Sequence, residues 1–476
     1  MFQYYLILVL VLAAGVFFNR NRAVRGVLLG IFLLLQTSVT IYGYYHIGGQ
    51  EADGYFSFDA LGLIFLSVLT ILSFTTILHS LVYLKHREDD WRRQRIYFTA
   101  LILLIGAMTS VYLASAIGIM WVLIEMTTLS VAALIYHERT HLSLEATWKY
   151  VFICSIGITF AFVGIVFLSK ALQEGGSVNL AFSDIPLHLQ NAGAFWLKLA
   201  FIFMVVGFST KMGLFPMHTI TVDAHTVAPP PISAFISTTL MNVGFVAIFR
   251  TYTLMSHTCI LPWMNQVLLW SGILSVFIST VYILKADHIK RMFAYSSLEH
   301  MGLSALGLAA GGIGYFAAIL HMVLHSFIKA SVFYQIDQVH RTFGTYVISK
   351  TGNYFNKNLA GALVMLFVYI SITAIPPSGM FVSELLVFRS LFESNHIIVL
   401  ILILLLLTMI IWSMGKNIFK MLFVPGKDAD ATIKADIKKW ESVSQFILLA
   451  LGVYLGLNPP SGFVQLIRDA VMLLPQ

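Results

Sequence analysis

The feature that most constrains this chain is the recurrence of apolar runs long enough to cross a bilayer. A helix spans the hydrocarbon core in about 20 apolar residues. Runs of that kind fall at about 2–18, 24–45, 59–84, 96–115, 118–136, 147–170, 194–215, 229–250, 264–285, 290–310, 312–338, 359–392, 395–415 and 442–458. Mean hydropathy is +0.85 and 11% of the residues are charged, whereas a soluble domain carries roughly a quarter. The bilayer is therefore the solvent for most of the chain. The expected fold class is an all-α integral membrane protein of about 14 transmembrane helices. The first run has no basic segment before it and no small-residue cleavage site after it, so it reads as a retained helix.

Numbering the loops alternately tests this count. One set holds Arg20, Arg22 and Arg25, then Lys85 to Arg95, Arg139 and Lys149, Lys285 to Arg291, Arg341 to Lys357, and Lys416 to Lys439. These are most of the 29 lysines and arginines, and the other set has almost none. The positive-inside rule makes the first set cytoplasmic, and an even number of spans then places both termini outside, in the inner membrane of a prokaryote. The net charge of +7 is spread over loops rather than gathered in a patch, which argues against nucleic acid. Two cysteines, Cys154 and Cys259, are too few for a disulfide framework or an iron–sulfur site.

Two spans carry breakers. Pro216 interrupts the seventh, and Pro376-Pro377-Ser378-Gly379 interrupts the twelfth. A broken helix frees backbone polar groups at membrane depth, which is tolerated where they line a polar cavity or are buried in protein. Spans four to eight and nine to thirteen form two sets of five with the broken member fourth in each. Five is odd, so the second set enters from the opposite side as an inverted repeat. The expected organisation is a three-helix scaffold over 1–95, a first five-helix repeat over 96–250, and a second over 264–424. A cytoplasmic loop, last helix and outer tail complete it over 425–476. The charged loop around Gly426-Lys427-Asp428-Ala429-Asp430, Lys438 and Lys439 is either solvated or a docking point for a cytoplasmic partner.

Ionisable groups at membrane depth are costly and mark ion or substrate paths. Glu125 lies in the middle of the fifth span and Lys211 late in the seventh. His321, His325 and Lys329 repeat every four residues in the eleventh and so share a face. Glu384 follows the break in the twelfth, and Glu299 and His300 lie in the tenth. Taken singly, each of these could tie two helices together, and Lys329 is near enough to its helix end to snorkel, as does Lys198. Taken together, they alternate acids, lysines and histidines across several helices. Burial disfavours the charged forms of acids and lysines, and histidine titrates near neutrality by itself, so such a row can relay protons.

The segment Ser209-Thr210-Lys211-Met212-Gly213-Leu214-Phe215-Pro216-Met217-His218 continues into Val222-Asp223-Ala224-His225 and Pro229-Pro230-Pro231-Ile232-Ser233-Ala234. It resembles the signature of antiporter-like subunits of respiratory complex I, multi-subunit sodium/proton antiporters and group 4 membrane-bound hydrogenases. A second stretch, Asp287-His288-Ile289-Lys290-Arg291-Met292-Phe293-Ala294-Tyr295-Ser296-Ser297 with Glu299-His300-Met301-Gly302, resembles the same family. It is most similar to component F of the formate-hydrogenlyase-type hydrogenases. The resemblance covers roughly residues 60–425. It implies that Glu125 and Lys211 form a charge-modulated pair, that Lys290, His321 and His325 hold central relay positions, and that Glu384 is the terminal exchange site. Asp223, His225, Glu299, His300, Lys329 and Ser237 are possible accessories, Ser237 standing where some relatives have histidine. The long lateral helix of the longest complex I member is absent from this sequence.

The resemblance implies a proton-translocating subunit without cofactor or metal of its own, non-catalytic within an oxidoreductase complex. Its partners would be other membrane subunits, the lipid bilayer, and a hydrogenase-like or carbonic-anhydrase-like cytoplasmic module. Two alternatives stand beside that reading. One is a sodium/proton antiporter subunit or the proton-driven half of an inorganic-carbon uptake system. The other is a membrane oxidoreductase with His321 and His325 as ligands, whose i, i+4 spacing suits zinc but not bis-axial haem.

Overall fold

The computed structural model describes residues 2–48, 54–87, 90–177, 179–189, 192–425 and 437–475. Among these residues the chain is helical throughout, with three isolated β-bridges and no strand. This follows from the solvent, because only a helix satisfies every backbone group within one segment. Eleven helices are long and apolar enough to cross a membrane, and Phe2–Phe18 and Leu359–Ile372 are shorter apolar helices. The Ile289–Ala310 helix is of spanning length as well. Its Lys290, Arg291, Glu299 and His300 lower its hydropathy, and all but Arg291 are buried.

Helix starts follow local chemistry. Asp59, Thr140, Asn358 and Ser378 each accept a hydrogen bond from a backbone N–H in the first turn of the following helix. Both anticipated breaks are present. The Ala194–Met212 helix ends at Gly213, in left-handed conformation at φ 74°, and the chain restarts as Thr219–Val227. Leu359–Ile372 likewise stops before Pro376-Pro377 and resumes as Gly379–Glu393. The Phe215–Pro216 and Pro376–Pro377 peptides are cis.

The Pro230–Met255 and Ile313–Phe343 helices are buried almost along their whole length and form the centre of the molecule. The Arg22–Tyr45 and Ile397–Phe423 helices present leucine and isoleucine outwards, as lipid-facing helices do. Small residues set the close approaches. A Cβ at Gly157 would meet the side chain of Thr210, one at Gly207 would meet Ala161, and one at Gly244 would meet the backbone of Met212. The backbone around Lys211 is thereby clamped between two helices. Arg250 adds a polar anchor: its guanidinium donates to Asp59 Oδ1 at 2.9 Å, to the Tyr112 carbonyl at 2.7 Å and to the Ala114 carbonyl at 3.0 Å.

The last segment is an amphipathic helix, Ser461–Val471, packed against the Ala60–His86 and Ile313–Phe343 helices. Gly426 to Asp430, within the loop considered for partner docking, lie outside the described residues.

Candidate functional site

Lys211 sits in the last turn before the first break and is 1% exposed. Its Nζ donates to Thr128 Oγ1 at 2.6 Å and to the Tyr150 hydroxyl at 3.3 Å. Thr128 donates in turn to Glu125 Oε2 at 3.1 Å, and Ser155 donates to Glu125 Oε1 at 3.1 Å. The anticipated Glu125–Lys211 pair is therefore joined through a hydroxyl. Thr128 stands one turn beyond Glu125 on the Ile117–Ile135 helix, which puts both on the face turned to Lys211.

Beyond the break, the Thr219–Val227 helix carries His225, which is fully buried. Ala228 follows it, and the Ala228 carbonyl accepts a hydrogen bond from Lys290 Nζ at 2.5 Å. Lys290, 1% exposed, also lies 5.1 Å from the centre of the Tyr346 ring. Lys329 departs from the sequence expectation. Its helix runs on to Phe343, so the residue lies at mid-helix in the centre of the protein, where no snorkelling route exists. It is fully buried, and its Nζ donates to the Phe293 carbonyl at 2.7 Å. Lys198, by contrast, is exposed at the start of its helix. Glu299, His225 and His325 are all within electrostatic reach of Lys329.

The i, i+4 pair His321 and His325 does not act alone, because His300 stands between them. Its ring centre is 5.1 Å from that of His321 and 5.3 Å from that of His325. His300 Nδ1 is 3.2 Å from His321 Nε2, and His321 Nδ1 is 2.9 Å from Ser383 Oγ. Glu384 Oε1 lies 3.9 Å from His300 Nδ1. Glu299 and Glu384 line one cavity of ≈ 180 Å³ at the second break, together with Thr373, Ala374 and Phe381. Among the described residues, Glu299 Oε2 and both ring nitrogens of His225 and His325 are buried without a protein hydrogen-bond partner. Buried polar groups of that kind call for water or an arriving proton. Donor atoms of His300, His321 and Glu384 lie within 4.8 Å of one another, so this set would suit a divalent metal as well as a proton.

Two anticipated accessories behave differently. Asp223 is outside the row, its side chain 40% exposed and 4.0 Å from Arg291. Ser237 lies in a π-helical turn, Ile236–Leu240, with its Oγ 2.8 Å from Ser297 Oγ. Thr128, Tyr150 and Ser383 were not singled out by sequence, since hydroxyls carry no motif; the spacing of Thr128 from Glu125 was the one available signal. Outside the spans, His288 caps the Ile289–Ala310 helix by accepting from Arg291 N–H. Burial, aided by the charges of Lys290 and Arg291, pushes its imidazole down to about 4.

A helical membrane protein with two broken helices and a buried row of lysines, carboxylates and histidines defines a class, the ion-translocating subunits. Residues 114–411 match the family described as NADH:quinone oxidoreductase/Mrp antiporter, transmembrane, and the chain belongs to that family. It is an antiporter-like proton-translocating membrane subunit of the complex I, hydrogenase-4 and Mrp type. It is 32% identical over 378 residues to a hydrogenase-4 component F homolog of Methylacidiphilum infernorum, covering 78% of this chain and 79% of that protein. The fold is shared with a chain of an archaeal membrane-bound sulfane sulfur reductase. That match has a TM-score of 0.87 at 21% identity and covers 99% of this chain and 97% of that one. A chain of respiratory complex I from Thermus thermophilus matches with a TM-score of 0.82 at 18% identity, covering 100% of both.

Proposed function

We propose that protons cross this subunit along a buried row in which Glu125, joined through Thr128 to Lys211, sets the charge to which His225, Lys290 and Lys329 respond. The row continues to Glu299, His325, His300 and His321, and ends at Glu384. The observation that carries this reading is the linkage of the row by hydrogen bonds and close ring contacts at each end, with the unpartnered Glu299, His225 and His325 in the middle. Charge on Lys211 is balanced through Thr128 by Glu125. A change in that balance, driven by a neighbouring subunit, alters which of the following groups holds the proton, and release occurs at Glu384.

The finer architecture belongs to this proposal. Fourteen spans, with two inverted five-helix repeats over 96–250 and 264–424, are supported by the paired breaks before Pro216 and Pro376. The basic loops support a cytoplasmic side beside Arg87, Lys285 and Arg341, in a prokaryotic inner membrane with both termini outside. The relatives support neighbouring membrane subunits as partners, and the proposal adds a hydrogenase-like or carbonic-anhydrase-like cytoplasmic module.

The test is proton pumping by inverted vesicles carrying the intact complex, with Lys211→Ala compared to wild type and assembly checked on native gels. Pumping is expected to fall while the complex assembles and turns over. Unchanged pumping in an assembled complex would remove Lys211 from the mechanism.

A further inference from the structure

A second cavity, of ≈ 250 Å³, lies on the side of the basic loops, between the end of the Ala60–His86 helix and the end of the Ile313–Phe343 helix. Tyr83, His86, Arg87, Asp337, His340 and Arg341 line it. That volume admits several waters, and every one of these side chains can form hydrogen bonds with them.

The guanidiniums of the lining are paired with carboxylates. Arg341 is held by Asp337, with Nε to Oδ2 at 3.1 Å, and by the Glu441 carboxylate. Glu138 accepts from Arg87 Nη1 at 2.8 Å and from the Tyr83 hydroxyl. Three carboxylates thus face two guanidiniums, and both guanidiniums are engaged. At its inner end the cavity meets the relay. His340 faces the cavity and stacks on Tyr346, their ring centres 4.2 Å apart; Lys290 Nζ is 5.1 Å from the Tyr346 ring, and the His288 ring centre is 5.6 Å from it. The chain after the Ile313–Phe343 helix is pinned there by a hydrogen bond from Ile289 N–H to the Tyr346 carbonyl, 2.9 Å.

We propose that this cavity is the cytoplasmic entrance for protons. His340 and Tyr346 form the step between it and Lys290, and the entrance is separate from the Glu125–Lys211 pair. This rests on the proton-relay reading and on the orientation given by the basic loops. Lys290 is then loaded directly from the cytoplasm, and the Glu125–Lys211 pair acts on it through charge rather than by handing it protons. The Tyr346 ring covers Lys290, so its movement decides when the lysine meets cavity water.

The test plugs the cavity. In a Cys259→Ser background, His86→Cys is placed at the mouth, where the native side chain is exposed, and His340→Cys at the inner end. Inverted vesicles expose the cytoplasmic face to a bulky, membrane-impermeant methanethiosulfonate. Dye quenching reads pumping, and mass spectrometry reads the extent of labelling. The His86→Cys protein is expected to pump before labelling, to lose most of its initial rate after it, and to regain that rate when a thiol reductant removes the label. The cysteine at 340 is expected to react from the same side. Full labelling at 86 with unchanged pumping, or a cysteine at 340 that never reacts, overturns the entrance. Pumping by the unlabelled protein leaves the relay reading intact in either case, so the two failures are distinguishable.

Discussion

Thr128→Val is the substitution that bears most directly on the relay. Valine keeps the branched shape and removes the hydroxyl that accepts from Lys211 at 2.6 Å and donates to Glu125 at 3.1 Å. Lys211 would keep the longer bond to Tyr150, and Glu125 would keep Ser155. A hydrogen bond to a charged group contributes about 1.5–3 kcal/mol. At about 1.4 kcal/mol per factor of ten, losing the hydroxyl should weaken the Glu125–Lys211 link by roughly 10- to 150-fold. Pumping by inverted vesicles should fall by about tenfold or more, while the amount of assembled complex stays the same. Thr128→Ser restores the hydroxyl and should return most of the rate. An assembled Thr128→Val complex that pumps at the wild-type rate would refute the hydroxyl link. So would a serine variant as impaired as the valine one, because the methyl group would then be what matters.

Lys211→Ala and the cysteine labelling at position 86 extend the same reasoning to the ends of the path. Arg250→Met should act on stability alone. It removes a buried guanidinium bonded to the Val111, Tyr112 and Ala114 carbonyls and to Asp59, at a cost of roughly 3 kcal/mol after allowing for the half-exposed carboxylate. The melting temperature of the detergent-purified protein should drop with pumping per assembled complex unchanged; a selective pumping loss would contradict this. His288 supplies a pH dependence. Its folded value is depressed from 6.5 to about 4, so the neutral cap is favoured in the folded protein. Its contribution is complete above about 6.5 and is lost as pH falls towards 4. Hydrogen exchange at Arg291 N–H, corrected for intrinsic rate, should therefore gain opening between pH 7 and pH 5, and His288→Asn should abolish that change.

The sequence alone determined that the chain lives in a bilayer, where its helices begin and break, and which residues carry charge at membrane depth. Those properties are local. Apolar length sets a span, proline removes a backbone donor, and an aspartate or serine caps the next turn. The family was legible for the same reason, since its motifs lie in continuous stretches around Lys211 and Lys290. Pairing across helices was not legible. Nothing in the order of residues says that Thr128 stands between Glu125 and Lys211, or that His300 separates His321 from His325. It also does not show that Glu299 and Glu384 share a cavity. Lys329 makes the distinction plain. Its distance along the helix suggested a side chain able to reach the membrane surface, but its helix lies at the centre of the protein, and among the described residues its hydrogen bond goes to the Phe293 carbonyl. Sequence fixes how far along a helix a charge sits, whereas its surroundings depend on which neighbours pack against that face, and only the tertiary structure decides that.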